Sequence, residues 1–136
     1  MSSSGVNYWA VLVGGGVYFL LGAIWYSKGL FGKVWMQGIA KTEDQIKAAF
    51  SPWKIVWALI GSLIAAYGIA RALSWTMAIT PAGGIMMGFL AGVCFILAPM
   101  TINDVMECRP MKLTVINVLY HMVGFLLIGF IIGAWR

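Results

Sequence analysis

Four predominantly apolar runs, at about residues 6–26, 55–75, 82–102 and 113–135, constrain this chain more than any other feature. Each is close to the roughly 20 residues that a helix needs to cross a bilayer core about 30 Å thick. A lone segment in lipid must pair its own backbone N–H and C=O groups, and a helix does so. Composition agrees: 62% of the 136 residues are hydrophobic and 10% charged, against about 45–50% and about 25% in soluble domains. A water-exposed globular enzyme, a disordered tail and a nucleic-acid-binding domain are thereby excluded. The expected fold is all-α, a single four-helix transmembrane domain over 1–136, with an amphipathic interfacial segment (27–53) between the first and second spans. The leader Met1-Ser2-Ser3-Ser4-Gly5 holds no basic residue and no small-x-small cleavage site follows the first run. That run is therefore expected to remain as a helix.

Basic residues set the expected orientation. The first and third connections hold Lys28, Lys33, Lys41, Lys47, Lys54, Arg109 and Lys112, whereas the opposite side has only Arg71 and Arg136. Lys and Arg concentrate on the cytoplasmic side of membrane proteins, so both termini are expected outside. Tyr8, Trp9, Trp75 and Trp135 would form an outer aromatic belt; Trp25, Tyr26, Trp35, Trp53 and Trp57 would form an inner one. Trp25, Tyr26, Lys33 and Trp35 thus read as cytoplasmic interface anchors. The net charge of +5 lies beside apolar spans rather than on a basic patch, which argues against a nucleic-acid partner. Cys94 and Cys108 form no CxxC pair, so neither a disulfide nor a cysteine metal site is expected.

Within 27–53, Leu30, Phe31, Val34, Trp35 and Ile39 recur at helical spacing with lysines between them. This pattern reads as a helix lying in the interface against anionic lipid, or as a partner-docking surface. Thr42-Glu43-Asp44-Gln45 is a capping-box pattern that opens a second short helix, and Ser51-Pro52 starts the next span. Glycines mark packing faces. Gly84, Gly88 and Gly92 repeat every four residues, and Gly129 and Gly133 do the same. Such stripes let helix backbones approach closely, within one chain or between chains. Four short helices enclose little, so a homo-oligomer or a membrane-protein partner is expected in addition to the bilayer itself.

Polar residues cluster around the turn between the third and fourth spans. Asn103, Asp104, Glu107, Arg109 and Lys112 precede Thr114, Asn117, Tyr120 and His121. Thr114, Asn117 and His121 share one helix face, and His121 lies roughly 15–18 Å along the helix, near mid-membrane. Pro99 has no N–H and frees the carbonyl of Phe95, a candidate partner for His121. Asn117 comes level with Asn103. An ionisable side chain at this depth is a functional-site hypothesis by default, although neutral His and Asn also serve as interhelical ties. The expected binding residues are Asn103, Asp104, Glu107, Asn117, Tyr120 and His121. No catalytic residue, metal site or cofactor is expected, for the chain lacks GxSxG, HExxH and Walker patterns and a second histidine.

Two blocks carry a family resemblance. The first joins Val6-Asn7-Tyr8-Trp9 to Gly22-Ala23-Ile24-Trp25-Tyr26-Ser27 and Leu30-Phe31-Gly32-Lys33-Val34-Trp35-Met36. The second is Glu107-Cys108-Arg109-Pro110 followed by Ile116-Asn117-x-x-Tyr120-His121, with Cys108 where glycine is more usual. Together they resemble the bacterial four-helix membrane family known as domain of unknown function 1761. The resemblance implies a four-helix protein of the bacterial inner membrane and no particular activity. It suggests that the Trp25-Tyr26 and Asn117-Tyr120-His121 blocks belong to one design.

Three functional classes follow. The first, and the leading expectation, is a homo-oligomer that binds or conducts a small solute, ion or proton along Asp104, Glu107, Asn103, Asn117 and His121. The second is a non-transporting accessory or interaction subunit of a larger complex. The third, an enzyme acting on a lipid or quinone through His121 or Glu107, is the least expected.

Overall fold

A computed structural model of the chain describes residues 5–76 and 79–135. The leader residues Met1 to Ser4 and the terminal Arg136 lie outside the described residues. The described residues form helices and no strand: α1 (Tyr8–Trp25), α2 (Gly32–Gly38), α3 (Glu43–Ala48), α4 (Pro52–Ser74), α5 (Pro81–Gly92), α6 (Ala98–Met106) and α7 (Met111–Ala134). A π-helical turn, Val93–Leu97, joins α5 to α6 into one span, Pro81–Met106. Four helices are thus long and apolar enough to cross a membrane: α1, α4, the joined α5–α6 and α7.

Local chemistry starts each span. Asn7 caps α1 by accepting from the N–H groups of Trp9 (3.1 Å) and Ala10 (3.3 Å). Its amide also donates to the carbonyl of Trp135 at 3.1 Å, which ties the start of α1 to the end of α7. Ser51 and Thr80 cap α4 and α5, and in each case proline follows at the first helical position, where no N–H is needed. The Thr42–Gln45 capping box closes in both directions, at 3.2 and 2.9 Å. The π turn stands immediately before Pro99, and the Ala98 N–H reaches back five residues to the carbonyl of Val93. A proline that cannot donate, and whose ring crowds the preceding turn, is a known cause of such local widening.

α7 is the hub, packed most extensively on α5 and also touching α1, α4 and α2. Both expected glycine stripes are used within this one chain. A Cβ on Gly84 would overlap the carbonyl of Gly129, and one on Gly129 would overlap the carbonyl of Gly84. Gly88 lies on the Phe125 carbonyl, Gly92 on the Met122 sulfur and Gly133 on the Thr80 carbonyl. The hydrophobic effect does not drive helices together in lipid, so this close backbone approach gains dispersion contacts instead.

The bundle is not uniform along its length. On α4, Ser62, Ala66, Ile69, Ala70 and Leu73 are buried, all in the half toward the chain termini. Residues 52–61 are exposed on every side, so no neighbouring element covers that part of α4. The short helices compensate on the same lysine-rich end. α2 rests against the start of α7, with Leu113 Cβ only 3.1 Å from where a Cβ on Gly38 would lie. Phe31 and Trp35 pack on Trp25 and Tyr26, with ring centroids 4.7 and 5.2 Å apart. The interfacial segment therefore turns part of its apolar face onto the bundle.

Candidate functional site: the aromatic and polar seam of α1 and α7

α1 and α7 run antiparallel, and each step down α1 is matched by an equal step back along α7. Gly14 meets Ile128, Tyr18 meets Gly124, and Gly22 meets Tyr120. A Cβ on Gly22 would fall 2.7 Å from the Tyr120 hydroxyl, and one on Gly124 would overlap the Tyr18 ring. Each glycine therefore makes room for a tyrosine from the facing helix, and the seam becomes rich in rings.

Those rings are held by directional bonds. The Tyr18 hydroxyl is hydrogen-bonded to His121 Nδ1. Tyr26 donates to the Asn117 side-chain oxygen at 2.7 Å, and the Trp25 indole donates to the Ile116 carbonyl at 3.0 Å. The Tyr120 hydroxyl donates to the backbone carbonyl of Tyr18 at 3.1 Å. Tyr18 stacks on Tyr120 at 5.1 Å between centroids and meets Phe125 edge-on at 5.8 Å. Tyr18 is buried, whereas Tyr26, Asn117, Tyr120 and His121 are half-buried. Among the described residues, no fully buried side-chain nitrogen or oxygen lacks a hydrogen-bond partner.

The structure divides the expected binding residues into two groups. Asn117, Tyr120 and His121 come together, but on α1 rather than on the third span. His121 takes Tyr18 as its partner instead of the Phe95 carbonyl, and Asn117 takes Tyr26 instead of Asn103. Asn103 is exposed, with no side-chain partner among the described residues. Asp104 is buried and accepts from the Thr114 hydroxyl at 2.7 Å, which ties α6 to α7. Arg109 reaches Glu107 at 2.8 Å and lies 3.8 Å from Asp104, so three of the four charges near this turn satisfy one another. The Asp104–Glu107 cluster and the His121 seam are separate constellations.

The turn between α6 and α7 closes by a helix-ending motif. Cys108 adopts a left-handed conformation (φ 56), and the Arg109 N–H returns to the Asp104 carbonyl at 2.9 Å. This is the position at which glycine is favoured, because it has no Cβ to crowd the carbonyl.

Sequence reasoning missed Tyr18; spacing alone gave Trp25 and Tyr26 an interfacial role, and only the family resemblance linked them to the Asn117-Tyr120-His121 block that they now contact. The missing signal was present on α1: Tyr18, Gly22 and Trp25 fall at i, i+4 and i+7, one face that matches the ring-bearing face of α7. No group of three His, Cys, Asp or Glu side chains suited to a metal ion forms among the described residues. The seam supplies hydrogen-bonded phenols, an imidazole and an amide. Such groups can lock two helices or hold a proton, and they bring no second ionised partner to His121.

Comparison with known proteins gives one match. A family model described as a protein of unknown function (DUF1761) matches residues 9–133, nearly the whole chain. No curated protein and no solved structure matches.

Proposed function

Since the chain belongs to that family, whose description assigns no activity, we propose that it is a non-transporting interaction subunit of the bacterial inner membrane, with both termini outside. The carrying observation is the contrast within the bundle. The glycine and aromatic seams fix α1, α5 and α7, while residues 52–61 of α4 stand bare on all sides. Trp53 and Trp57 are 70% and 69% exposed there, offering large rigid side chains to a neighbouring membrane helix. The polar groups of α7 that a conduction path would need are instead engaged with α1, which supports the subunit reading over the transporting one.

One observation favours a second reading. His121 is half-buried near the middle of α7, so a homo-oligomer that binds or passes a proton, ion or small solute would have an ionisable group at the right depth.

A photo-crosslinking residue at Trp57, in the full chain within native membranes, tests the proposal beside the same residue at Ile85 of α5. A discrete adduct of defined mass from position 57 alone supports docking on α4, and adducts of twice the chain mass identify a second copy as the partner. Equal, diffuse crosslinking at both positions overturns it. So does proton or ion flux in proteoliposomes that disappears in His121→Ala.

A further inference from the structure

The short helices α2 and α3 border a shallow, open groove of about 390 Å3 at the lysine-rich end, lined by Lys33, Met36, Gln37, Lys41, Thr42 and Glu43. The chain makes the groove by a tight reversal after α2, where Ala40 takes a left-handed conformation (φ 57). The reversal places Lys33 of α2 beside Lys41 and the first turn of α3.

Charge in this groove is unevenly satisfied. Glu43 is the carboxylate of the wall, and its two oxygens are taken by Lys28 (2.5 Å) and Lys47 (3.1 Å). Lys33 and Lys41 are exposed and have no ion pair among the described residues. Two lysines without an ion pair thus line one groove whose acid is already paired with Lys28 and Lys47. Gln37 adds an uncommitted amide donor, and Met36 gives the wall an apolar portion. This is the complement of a compact anion attached to an apolar body.

The groove is also held at a defined level. Trp35 packs on Tyr26 and Phe31 on Trp25 at the end of α1, and Gly38 lies close to Leu113 at the start of α7. The groove therefore sits where the spans emerge from the apolar layer, the depth of lipid headgroups. Lysine stems can lie along apolar surface while their ammonium groups reach phosphate.

We propose that the groove between α2 and α3 is a binding site for the phosphate headgroup of an anionic phospholipid, with Lys33 and Lys41 as its cationic contacts. The site does not rest on the subunit reading above.

The full chain in mild detergent, titrated with phosphatidylglycerol or phosphatidylcholine and read by native mass spectrometry, tests this directly. Retention of phosphatidylglycerol over phosphatidylcholine is expected, and a Lys33→Gln/Lys41→Gln variant should lose roughly tenfold to thirtyfold in that retention. Lys54→Gln/Lys112→Gln removes equal charge outside the groove and should retain the lipid. Glu43→Gln frees Lys28 and Lys47 and should bind more tightly, an opposite sign that a folding defect would not give. The proposal is overturned by equal retention of the two lipids, by equal loss in both lysine pairs, or by weaker binding in Glu43→Gln. Displacement by inorganic phosphate in millimolar excess would identify a free-anion site instead and overturn the lipid assignment.

Discussion

Gly84→Ala tests the packing of α5 on α7 at its tightest point. The new methyl would overlap the Gly129 carbonyl oxygen, with the carbonyl carbon at 2.7 Å and the Cα of Gly133 at 3.3 Å. Carbon atoms sit comfortably at about 3.5–4.0 Å, so the two helices must part by roughly 1 Å. A gap of that size forfeits about a quarter to a half of each dispersion well along the seam, and overpacking in well-packed cores costs about 1–3 kcal/mol. About 2 kcal/mol, roughly a thirtyfold shift in the folding equilibrium, is therefore expected. Steric trapping in bicelles measures it. Gly129→Ala meets the Gly84 carbonyl across the same contact, so the double variant should cost distinctly less than the two single costs together. Gly61→Ala and Gly68→Ala place a methyl where nothing lies within 4 Å, and should be neutral or slightly stabilising through helix propensity. A Gly84→Ala protein as stable as Gly61→Ala, or strict additivity with Gly129→Ala, would refute the close-approach argument.

The other predictions concern the polar seams. Tyr18→Phe and His121→Phe should each weaken the fold, with a coupling between them of about 0.5–1.5 kcal/mol, the range of interhelical hydrogen bonds in membranes. A double-mutant cycle in the same bicelles reads it, and zero coupling removes the bond from the stability argument. Cys108→Gly should stabilise the chain by about 1 kcal/mol, because the left-handed turn carries a Cβ there that glycine lacks; a loss of stability contradicts the reading. Hydrogen bonds from Lys28 and then Lys47 hold the Glu43 carboxyl below its ordinary value. Its folded pKa being depressed, the tie of α3 to Lys28 is present above the ordinary glutamate range and is lost as pH falls through the lowered folded value. A Glu43 carbon resonance titrating below its ordinary midpoint, and rising toward it in Lys28→Gln/Lys47→Gln, is the expected result.

Much of the fold was legible because the bilayer imposes its own dimension on the sequence. The four apolar runs predicted four spans; Pro52 starts α4 earlier than expected, the third span runs on to Met106, and α1 is shorter than its run at both ends. The capping box at Thr42 is wholly local and could be read without any tertiary knowledge. Partner choice could not. Spacing on α7 says that Asn117 and His121 share a face, but a face has two flanking helices. α1 takes these side chains because Gly22 and Gly124 open space for the rings of Tyr120 and Tyr18. That fit exists only when both helices are considered together. The bare stretch of α4 was illegible for a related reason: apolar residues on every side of a helix look the same facing lipid as facing protein.

The two seams of α7 differ in what they permit. Against α5 the contact is backbone on backbone, and side chains have no freedom to exchange one arrangement for another. Against α1 the contact runs through the side chains of Tyr18, Tyr26, Tyr120 and His121, so that seam is held by directional hydrogen bonds and ring contacts instead of backbone approach. The adjacent stretch of α4 is bare over the same half of the bundle. A molecule that approaches there meets the ring-bearing seam, whereas the opposite half carries a cavity of its own, about 320 Å3, lined by Val6, Asn7, Ala70, Leu73, Ile132 and Trp135. A partner on the bare stretch of α4 would therefore meet the ring-bearing seam first, on the lysine-rich side where α2 packs at the end of α1.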